Sequence, residues 1–533
     1  MIARQAIVDA SHNTVGYELF DRSQASGDHT AASDVSLVFN ALSHVGEEDL
    51  FGKLFLFVNC THDSLAGGHL DLVNPERLVL EIPPLDDPAP QNVEHRLPIL
   101  AQLRQRGFRL AFGQFVLEPA YALWRPLATF VKLDLALIAG LMASGCKVVD
   151  IGLALSPMAY FAQFALDVPA VAMVTASHND NGWTGVKMGA KRPVTFGPDE
   201  MNRLKEIVLS GNFALDGGGG YTFVENFYDT YYKDLTDRPK LKRKLKVVAA
   251  CGNGTAGAFA PQVLEALGCE VIPLDVELDH TFPRYNPNPE DMEMLHAIAH
   301  AVKEHGADVG LGFDGDGDRC GVVDNEGNEI FADKIGVMLA RDLSKLHPNS
   351  TFVVDVKSTG LFATDPELLR LGAKADYWKT GHSHIKKRVT ALNALAGFEK
   401  SGHFFFNAPV GKGYDDGIVT AIAVLDMLDR APTKSMADLY RDVPKTWGSP
   451  TMSPHCDDEI KYDVVVRCVK RIEAMAAAGE TITGQKIRDV VTVNGVRVTA
   501  EDGTWGLIRA SSNKPELVVV VESPVSEARM REM

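Results

Sequence analysis

The feature that most constrains the fold is an acidic, glycine-rich loop that directly follows an apolar run. Residues 307–313 are mostly apolar and have the length of a buried strand, and residues 312–319 read Gly-Phe-Asp-Gly-Asp-Gly-Asp-Arg. The glycines let the backbone bend, so Asp314, Asp316 and Asp318 can turn toward one point. Three carboxylates this close need a cation, and all-oxygen ligands favour Mg²⁺ over Ca²⁺. The loop therefore predicts a magnesium site at the end of a strand.

Two other interpretations of this loop stay in view. An EF-hand loop needs Gly at its sixth position and Glu at its twelfth, whereas Arg319 and Asn325 stand there. The preceding residues also indicate a strand where an EF-hand has a helix. An acidic turn without a ligand remains open, although regular glycine spacing is unusual in a merely polar loop.

Length and composition describe an ordinary globular protein of several domains. A chain of 533 residues should hold about three to five domains. The net charge of −17 argues against nucleic acid or an anionic membrane as the main partner. Seven scattered cysteines without a C-x-x-C motif argue against a disulfide framework. With no signal peptide and no apolar stretch of about 20 residues, we expect a cytoplasmic protein.

The first 136 residues alternate short apolar runs with helical stretches, which is typical of βα repetition. Polar residues lie at or near the ends of the runs, where α/β barrels place their sites; they are Asn59, Glu81, Lys132 and Asp134. The predicted strands are residues 53–59, 77–82, 108–112 and 129–134.

A possible nucleophile lies further along the chain. Residues 168–174 form an apolar run that leads into Thr-Ala-Ser-His-Asn, and Lys187 returns after a turn. A serine at a strand end suits covalent chemistry, but Ser-His-Asn alone is weak evidence, since Ala-Ser-His-Asn also occurs at residues 10–13. The surrounding context must therefore decide whether Ser177 is functional.

From residue 244 the α/β pattern is clear. A strand at 246–250 precedes a Gly-rich turn that could hold phosphate or be plain punctuation, and a strand at 351–357 opens a further unit. The last segment combines a helix at 463–477 with strands at 491–499, 506–509 and 517–521, which is an α+β pattern. Residues 509–515 between the final two strands offer cations, hydroxyls and an amide, a combination suited to phosphate.

Four sites, one per unit and in this order, resemble the motifs of the α-D-phosphohexomutase family in its phosphomannomutase/phosphoglucomutase branch. The resemblance covers residues 137–533. It implies that Ser177 carries a phosphoryl group, and that Ser177 and the three aspartates of the loop hold one Mg²⁺. It also implies that Lys187 and Arg319 stabilise the transferring phosphoryl group, with His382 as a further catalytic residue.

The same resemblance implies how a phosphosugar binds. Glu399 and Ser401 would contact sugar hydroxyls, with His403 close by, and residues 509–513 would grip the phosphate that does not react. Hexose 1,6-bisphosphate would be the activator. The implied substrate-binding residues are Lys357, Glu399, Ser401, His403, Arg509, Ser511, Ser512 and Asn513.

The N-terminal segment resembles the first half of an EAL-type cyclic-di-GMP phosphodiesterase barrel, through residues 3–9, 15–20, 57–59, 80–82 and 131–134. The metal-binding residues of that family would match Glu18, Asn59 and Glu81. Gly113 and Gln114 occupy the place of its paired aspartates, and the rest of the barrel is missing. We therefore expect this segment to be catalytically inactive.

Together these resemblances predict an α/β chain with a partial TIM-barrel-like segment, three α/β mutase domains of which the first is incomplete, and a C-terminal α+β domain. The expected boundaries are 1–136, 137–240, 241–346, 347–450 and 451–533. The first mutase domain lacks its opening strand and helix, and residues 129–134 are the only nearby strand that could pair beside residues 147–151 and partly replace them.

Two functions follow as hypotheses. The first is a phosphohexomutase acting on mannose or glucose phosphates, which differ only at C2. The second is a non-catalytic binding or regulatory protein that acts through the degenerate barrel segment. The sequence leaves the choice between a monomer and a dimer open.

Overall fold

The computed structural model describes residues 2–8, 14–21, 55–66, 70, 75, 78–85, 87–117, 119–131, 135–179, 185–211, 213–214, 217–279, 282–511 and 514–533. The chain folds into two compact units. Unit 1 comprises residues 1–150 and 211–223, and unit 2 comprises residues 151–210 and 224–533. Within the described ranges, every helix is too short or too polar to cross a membrane.

Unit 1 contains a six-stranded sheet in sequential order. Its first two strands are antiparallel and each later pair is parallel. The four predicted apolar runs form its last four strands. The strands are β1 (Ile2–Val8), β2 (Thr14–Asp21), β3 (Phe55–Asn59), β4 (Leu78–Ile82), β5 (Arg109–Phe112) and β6 (Phe130–Val131).

One helix, α1 (Pro90–Gln105), connects β4 to β5 and buries Val93, Leu100 and Leu103. These side chains join a core that includes Leu80, Leu110 and Trp124. The Trp124 indole donates a hydrogen bond to the Val93 carbonyl at 2.9 Å. The runs of β4 and β5 are thus largely buried, as parallel strands require.

The described part of the segment 129–134 does not pair beside residues 147–151. Strand β6 pairs with β5, with Phe130 opposite Ala111, and residues 132–134 lie outside the described residues. Helix α2 (Leu135–Ala143) leads into β7 (Lys147–Asp150). Among the described residues, β7 pairs in parallel with β10 (Gly220–Phe223) alone.

The first part of unit 2 contains the predicted nucleophile. Its strands β8 (Val171–Thr175) and β9 (Gly185–Gly189) form an antiparallel hairpin. Around them lie α3 (Ser156–Ala165), α4 (Pro198–Ser210) and α5 (Phe227–Thr236).

Two complete α/β sheets follow, and they share one topology. In each, three strands are parallel and a further strand returns antiparallel to the third. The first sheet has the order β12-β11-β13-β14-β15 and the second β17-β16-β18-β19. The strands are β11 (Lys246–Ala250), β12 (Glu270–Leu274), β13 (Val309–Phe313), β14 (Cys320–Asp324), β15 (Glu329–Ile330), β16 (Thr351–Asp355), β17 (Lys374–Trp378), β18 (Ala396–Phe398) and β19 (Phe404–Phe406).

Helices cover these sheets and share a continuous core with them, which includes Leu311, Val354 and Val424. Asp291 caps the first turn of the longest helix between β12 and β13, and Gly306 ends that helix in a left-handed conformation. The helices are α6 (Ala260–Ala266), α7 (Met292–His305), α8 (Ala332–Leu346), α9 (Leu361–Thr364), α10 (Pro366–Arg370), α11 (His382–Leu392), α12 (Gly417–Asp429) and α13 (Met436–Arg441).

The C-terminal part is the predicted α+β domain. Its sheet has the order β20-β25-β24-β23-β22-β21 and is antiparallel. The strands are β20 (Trp447–Gly448), β21 (Thr481–Ile482), β22 (Gln485–Val491), β23 (Val496–Ala500), β24 (Trp505–Ala510) and β25 (Leu517–Ser523). The helices are α14 (Lys461–Ala477) and α15 (Glu527–Glu532).

Buried polar contacts join this domain to the preceding one. Arg497 stacks between the rings of Tyr377 and Trp505, at 4.2 and 3.6 Å from their centroids. Its guanidinium donates to the carbonyls of Val356 and Ser358, both at 2.7 Å. The last domain therefore fixes the backbone that follows β16.

Four hairpins of unit 2 have a feature in common: the connection between their two strands contains at least one of the residues that the sequence singled out. The hairpins are β8–β9, β13–β14, β18–β19 and β24–β25.

Candidate active site

The acidic loop between β13 and β14 is buried and compact. The side chains of Asp314, Asp316 and Asp318 are at most 4% exposed, and ligand atoms from all three lie within 4.8 Å of one another. Burial beside the other two carboxylates raises the pKa of Asp314 to about 7. Such a cluster is unfavourable without positive charge at its centre.

Arg319 supplies part of that charge. It is 1% exposed, and its Nε donates to Asp314 Oδ2 at 2.9 Å while its backbone N–H donates to Oδ1 at 3.1 Å. Its Nη1 donates to Asn288 Oδ1 at 3.2 Å and to the Ser401 carbonyl at 3.4 Å. Arg319 thus joins the acidic loop to the loop between β18 and β19.

Lys187 supplies a second positive charge. It lies on β9, and its Nζ is 2.6 Å from both Asp316 Oδ2 and Asp318 Oδ2. Although burial opposes it, the two carboxylates hold the pKa of Lys187 well above its usual range. The antiparallel pairing of β8 and β9 confirms that the chain returns this lysine after the serine.

Ser177 lies against the acidic loop in a strained conformation. Its φ is +55°, in the left-handed region that a residue other than glycine rarely adopts. Its N–H donates to Thr175 Oγ1 at 2.8 Å, and Thr175 Oγ1 donates in turn to Asp316 Oδ2 at 2.9 Å. A Cβ on Gly315 would lie 2.3 Å from the Ser177 carbonyl oxygen, so only glycine permits this approach.

The loop between β18 and β19 adds a histidine to the same group. His403 Nε2 lies 3.3 Å from Asp318 Oδ1, and its Nδ1 lies 3.1 Å from Ser401 Oγ and 3.6 Å from Glu399 Oε2. Glu399 accepts a hydrogen bond from the Gly381 N–H at 2.5 Å. Burial raises the pKa of Glu399 to about 7, although His403 opposes the shift.

His382 begins α11 and stacks on His403, with ring centroids 6.0 Å apart. Its Nδ1 is 3.4 Å from Thr195 Oγ1. Burial and the charge of Lys386 lower the pKa of His382 to about 3, so the ring is neutral near pH 7.

The predicted phosphate-binding residues are described in part. Arg509 Nη1 donates to the Ala510 carbonyl at 2.9 Å, whereas its Nε is buried and finds no hydrogen-bond acceptor among the described residues. Asp355 and Glu399 are the carboxylates whose charges act on Arg509. Ser511 is buried, and Lys357 is half-buried and its charge acts on Glu399. Ser512 and Asn513 lie outside the described residues.

Several residues of the site were missed by sequence reasoning. Ser156 and Thr175 donate to Asp316 Oδ2, and His178 Nδ1 lies 3.1 Å from Ser177 Oγ. Burial, with the charge of Arg319, lowers the pKa of His178 to about 4. Lys386 and Asp415 form a buried ion pair near His403. The adjacent aspartates of Tyr-Asp-Asp-Gly at 414–417 were the one signal in the sequence that could have suggested Asp415.

The acidic loop has the chemistry that Mg²⁺ requires. All three aspartates offer oxygen ligands, and the Oδ1 atoms of Asp316 and Asp318 are buried and accept no hydrogen bond from a described residue. A buried carboxylate oxygen without a hydrogen bond is unfavourable, and a hard cation would satisfy Asp316 Oδ1, whereas Asp318 Oδ1 already has His403 Nε2 at 3.3 Å. The residues therefore fit a magnesium ion.

A strained serine lies against a loop of oxygen ligands, with a lysine and an arginine beside it. This arrangement suits phosphoryl transfer, which depends on positioning and charge stabilisation.

Comparison with known proteins identifies the family. The phosphoglucomutase/phosphomannomutase domain models match in chain order: α/β/α domain I over residues 131–214, domain II over 225–327, domain III over 331–447 and the C-terminal domain over 459–533. The phosphomannomutase/phosphoglucomutase of Pseudomonas syringae pv. tomato is 38% identical over 387 residues, which are 73% of this chain and 79% of that protein. The phosphoglucomutase of Neisseria gonorrhoeae is 33% identical over 73% of this chain and 81% of its own length.

A solved structure agrees. A phosphoglucomutase/phosphomannomutase family protein from Burkholderia thailandensis matches with a TM-score of 0.66 and 28% identity, over 83% of this chain and 90% of that one. The chain belongs to the phosphoglucomutase/phosphomannomutase family, and its function is that of a phosphohexomutase, an isomerase.

Proposed function

We propose that this chain interconverts hexose 1-phosphates and hexose 6-phosphates of mannose, glucose or both, through a phosphoserine at Ser177 and a hexose 1,6-bisphosphate intermediate. The observation that carries the proposal is the contact between the Ser177 loop and the acidic loop. Gly315 packs on the Ser177 backbone, and Lys187 reaches two of the aspartates.

The reaction consists of two phosphoryl transfers in opposite directions. In the first, the bond between phosphorus and Ser177 Oγ breaks, a bond forms to a sugar hydroxyl oxygen, and the hydroxyl proton is released as the serine regains one. The bisphosphate then turns over, and its other phosphate returns to Ser177. Positioning and charge stabilisation supply most of the catalysis in such transfers.

We assign one Mg²⁺ per chain to Asp314, Asp316, Asp318 and the oxygen of Ser177 or its phosphate. The ion would supply positive charge against the transferring phosphoryl group. Lys187 and Arg319 are held at the same place by the loop carboxylates, so they add positive charge without reorganising during the reaction.

The sugar would lie between the loop of β18–β19 and the C-terminal loop. Glu399 and Ser401 would contact hydroxyls in both orientations of the sugar, with His403 beside them and Lys357 and His382 as the adjoining wall. Arg509, Ser511, Ser512 and Asn513 would bind the phosphate that does not react. The buried Arg509 Nε, with no acceptor among the described residues, supports this assignment.

A turnover assay with peptide mapping tests the proposal. Purified full-length protein with Mg²⁺ and a trace of glucose 1,6-bisphosphate, the expected activator, should convert glucose 1-phosphate to glucose 6-phosphate. Phosphate should map to Ser177 and be absent from Ser11, and Ser177→Ala should be inactive. Phosphate on Ser11, or none on Ser177, would contradict the assignment.

A second function would rest on an incomplete first domain, and the separate two-stranded pairs β7–β10 and β8–β9 among the described residues favour it. In this alternative the chain is an impaired mutase that acts as a binding or regulatory protein through residues 1–136, a truncated EAL-type segment. The side-by-side positions of Asn59 and Glu81 in β3 and β4 support that resemblance.

Hydrogen exchange together with turnover separates the two functions. The broken domain predicts low activity and weaker amide protection in the described parts of 137–235 than in 245–440. Equal protection in both regions, with turnover in the ordinary range of about 1–1000 s⁻¹, would exclude the impaired enzyme.

A further inference from the structure

A fully buried ion pair lies beside the proposed site, and so far only the charge of Lys386 has been given an effect, on the pKa of His382. Lys386 Nζ is 2.7 Å from Asp415 Oδ1, and both side chains are 0% exposed. The ammonium group also lies 4.0 Å from the centre of the Tyr160 ring. Burying two charges costs several kcal/mol that their attraction often only offsets, so stability alone is a weak reason for the pair.

A buried aspartate at this position would be expected to cap the helix α12, but the neighbouring residue, Asp416, is the cap. Asp416 caps α12 by accepting hydrogen bonds from the Ile418 and Val419 N–H groups, and it also accepts one from the Tyr231 hydroxyl at 2.7 Å. In contrast, neither oxygen of Asp415 accepts a hydrogen bond of normal geometry from a described residue. Asp415 is therefore not needed to begin the helix.

Asp415 instead faces His403. Its Oδ2 is 4.0 Å from His403 Nε2, and the same nitrogen lies 3.3 Å from Asp318 Oδ1. The His403 ring stacks nearly parallel to His382 and Phe405, at interplanar angles of 25° and 17°. Stacking fixes the plane of the ring, and the carboxylates fix the direction in which its nitrogens point.

We propose that Asp415 and Lys386 are positioning residues for His403. Asp415 attracts the Nε2 side of the ring, so that Nδ1 faces Ser401 and Glu399, and Lys386 holds the Asp415 carboxylate in place. This inference rests on the proposed function, in which His403 lies beside the sugar. A ring that rotated freely would present the wrong nitrogen to the substrate, and a misplacement of about 1 Å can cost about 100-fold in rate.

The decisive variant removes both charges together. Replacing a buried ion pair with apolar side chains of similar volume is often neutral for stability, so Lys386→Met combined with Asp415→Leu should melt within a few degrees of the wild type. Its kcat for glucose 1-phosphate should fall about 10-fold to 100-fold, with KM changed less than about threefold and Ser177 still phosphorylated. Asp416→Asn is the matched control and should keep the wild-type kcat.

A crystal structure of the double variant supplies a readout that is independent of turnover. The His403 ring should be rotated or occupy more than one rotamer, whereas the His382 ring should stay in place. An unchanged kcat, or an unchanged His403 ring, would overturn the proposal. If the wild type has no mutase activity, the proposed function fails while the ring position still decides this inference. If the double variant does not fold, Asp415→Asn, which keeps the volume, gives the same two readouts.

Discussion

Two hairpins of unit 2 have the same topology but very different surroundings. In β13–β14 all five residues of the first strand are buried, and β11 pairs along its other edge. In β8–β9 none of the five residues of the first strand is fully buried, and among the described residues β9 is the one strand that pairs with it. Helix α4, which follows β8–β9, buries no side chain, whereas α7, which precedes β13–β14, buries six.

The difference shows how Ser177 keeps its position. The acidic loop is supported by a complete sheet, and the serine loop is supported by the acidic loop. Thr175 and Lys187 at its two ends both bond to Asp316, the Asn286 side chain donates to the His178 carbonyl at 2.6 Å, and Gly315 packs on Ser177 itself. The position of Ser177 therefore depends on contacts that cross from one hairpin to the other.

The largest expected effect comes from removing the charge at which these contacts meet. Asp316→Asn keeps the shape of the side chain but weakens the magnesium site and the bonds to Thr175 and Lys187. We expect turnover to fall about 10³-fold, measured by the coupled assay under limiting Mg²⁺. Asp324→Asn is the control, because Asp324 is equally buried but only caps a turn after β14. Wild-type turnover in Asp316→Asn would mean that the loop is structural.

A smaller loss should follow from pushing the two hairpins apart. In Gly315→Ala the new methyl group would meet the Ser177 carbonyl oxygen at 2.3 Å, and a displacement of about 1 Å should lower kcat about 100-fold. Gly448→Ala adds a methyl group with no atom within 4 Å and should change nothing. If both variants turn over equally, Ser177 does not depend on this contact.

The stability of the well-buried part of unit 2 should depend on pH through the buried carboxylate of Glu522. Glu522 accepts hydrogen bonds from Thr359, Gly360, Thr446 and Lys334 at 2.8–2.9 Å. Although burial opposes it, Lys334 and these bonds lower the pKa of Glu522 to about 2. A depressed carboxyl pKa stabilises the fold above the ordinary value near 4.5, and this contribution is lost as the pH falls toward 2.

Urea unfolding of wild type and Glu522→Gln checks this expectation. The difference between their free energies of unfolding should shrink by about 3 kcal/mol from pH 6 to pH 2, since each pKa unit is worth about 1.4 kcal/mol. Parallel pH curves for the two proteins would show that the carboxylate makes no net contribution.

The smallest effect on stability is expected from a substitution in α4, the helix that follows the hairpin β8–β9. Leu209 on α4 is 76% exposed, whereas Leu295 on α7 is 4% exposed. Leu209→Ala should change the free energy of unfolding by less than about 0.5 kcal/mol, while Leu295→Ala should cost about 2–5 kcal/mol. A comparable loss in both variants would mean that α4 is covered in solution by a partner or a second copy.

Sequence reasoning predicted the parts of the site that are local. The strand 246–250 has the predicted bounds, and the strand before the acidic loop ends at Phe313 as expected. The convergence of the three carboxylates could be predicted because the alternating glycines let the backbone of the loop bend. The return of Lys187 was also predictable, and the antiparallel pairing of β9 with β8 places Lys187 opposite Met173.

The rest of the site required contacts that no local pattern contains. Asp415 and Asp416 are adjacent and chemically identical, yet one faces His403 and the other begins a helix, and only the packed fold distinguishes them. Lys386 is a charged residue on a helix and would ordinarily be expected in solvent. The pairing partner of the predicted strand 129–134 could not be read from the sequence, because an apolar strand does not specify its neighbour; Phe130 and Val131 pair with β5.

The stacked Arg497 has a consequence for how this chain could be recombined with its relatives. Arg497 donates hydrogen bonds to the carbonyls of Val356 and Ser358, the residues on either side of Lys357. One of the two rings on which it stacks, Tyr377, belongs to the third domain. A chimaera that exchanged residues 461–533 alone would replace the side chain that holds the backbone on both sides of Lys357. The C-terminal domain can therefore be exchanged without loss only if Arg497 and Tyr377 are transferred together.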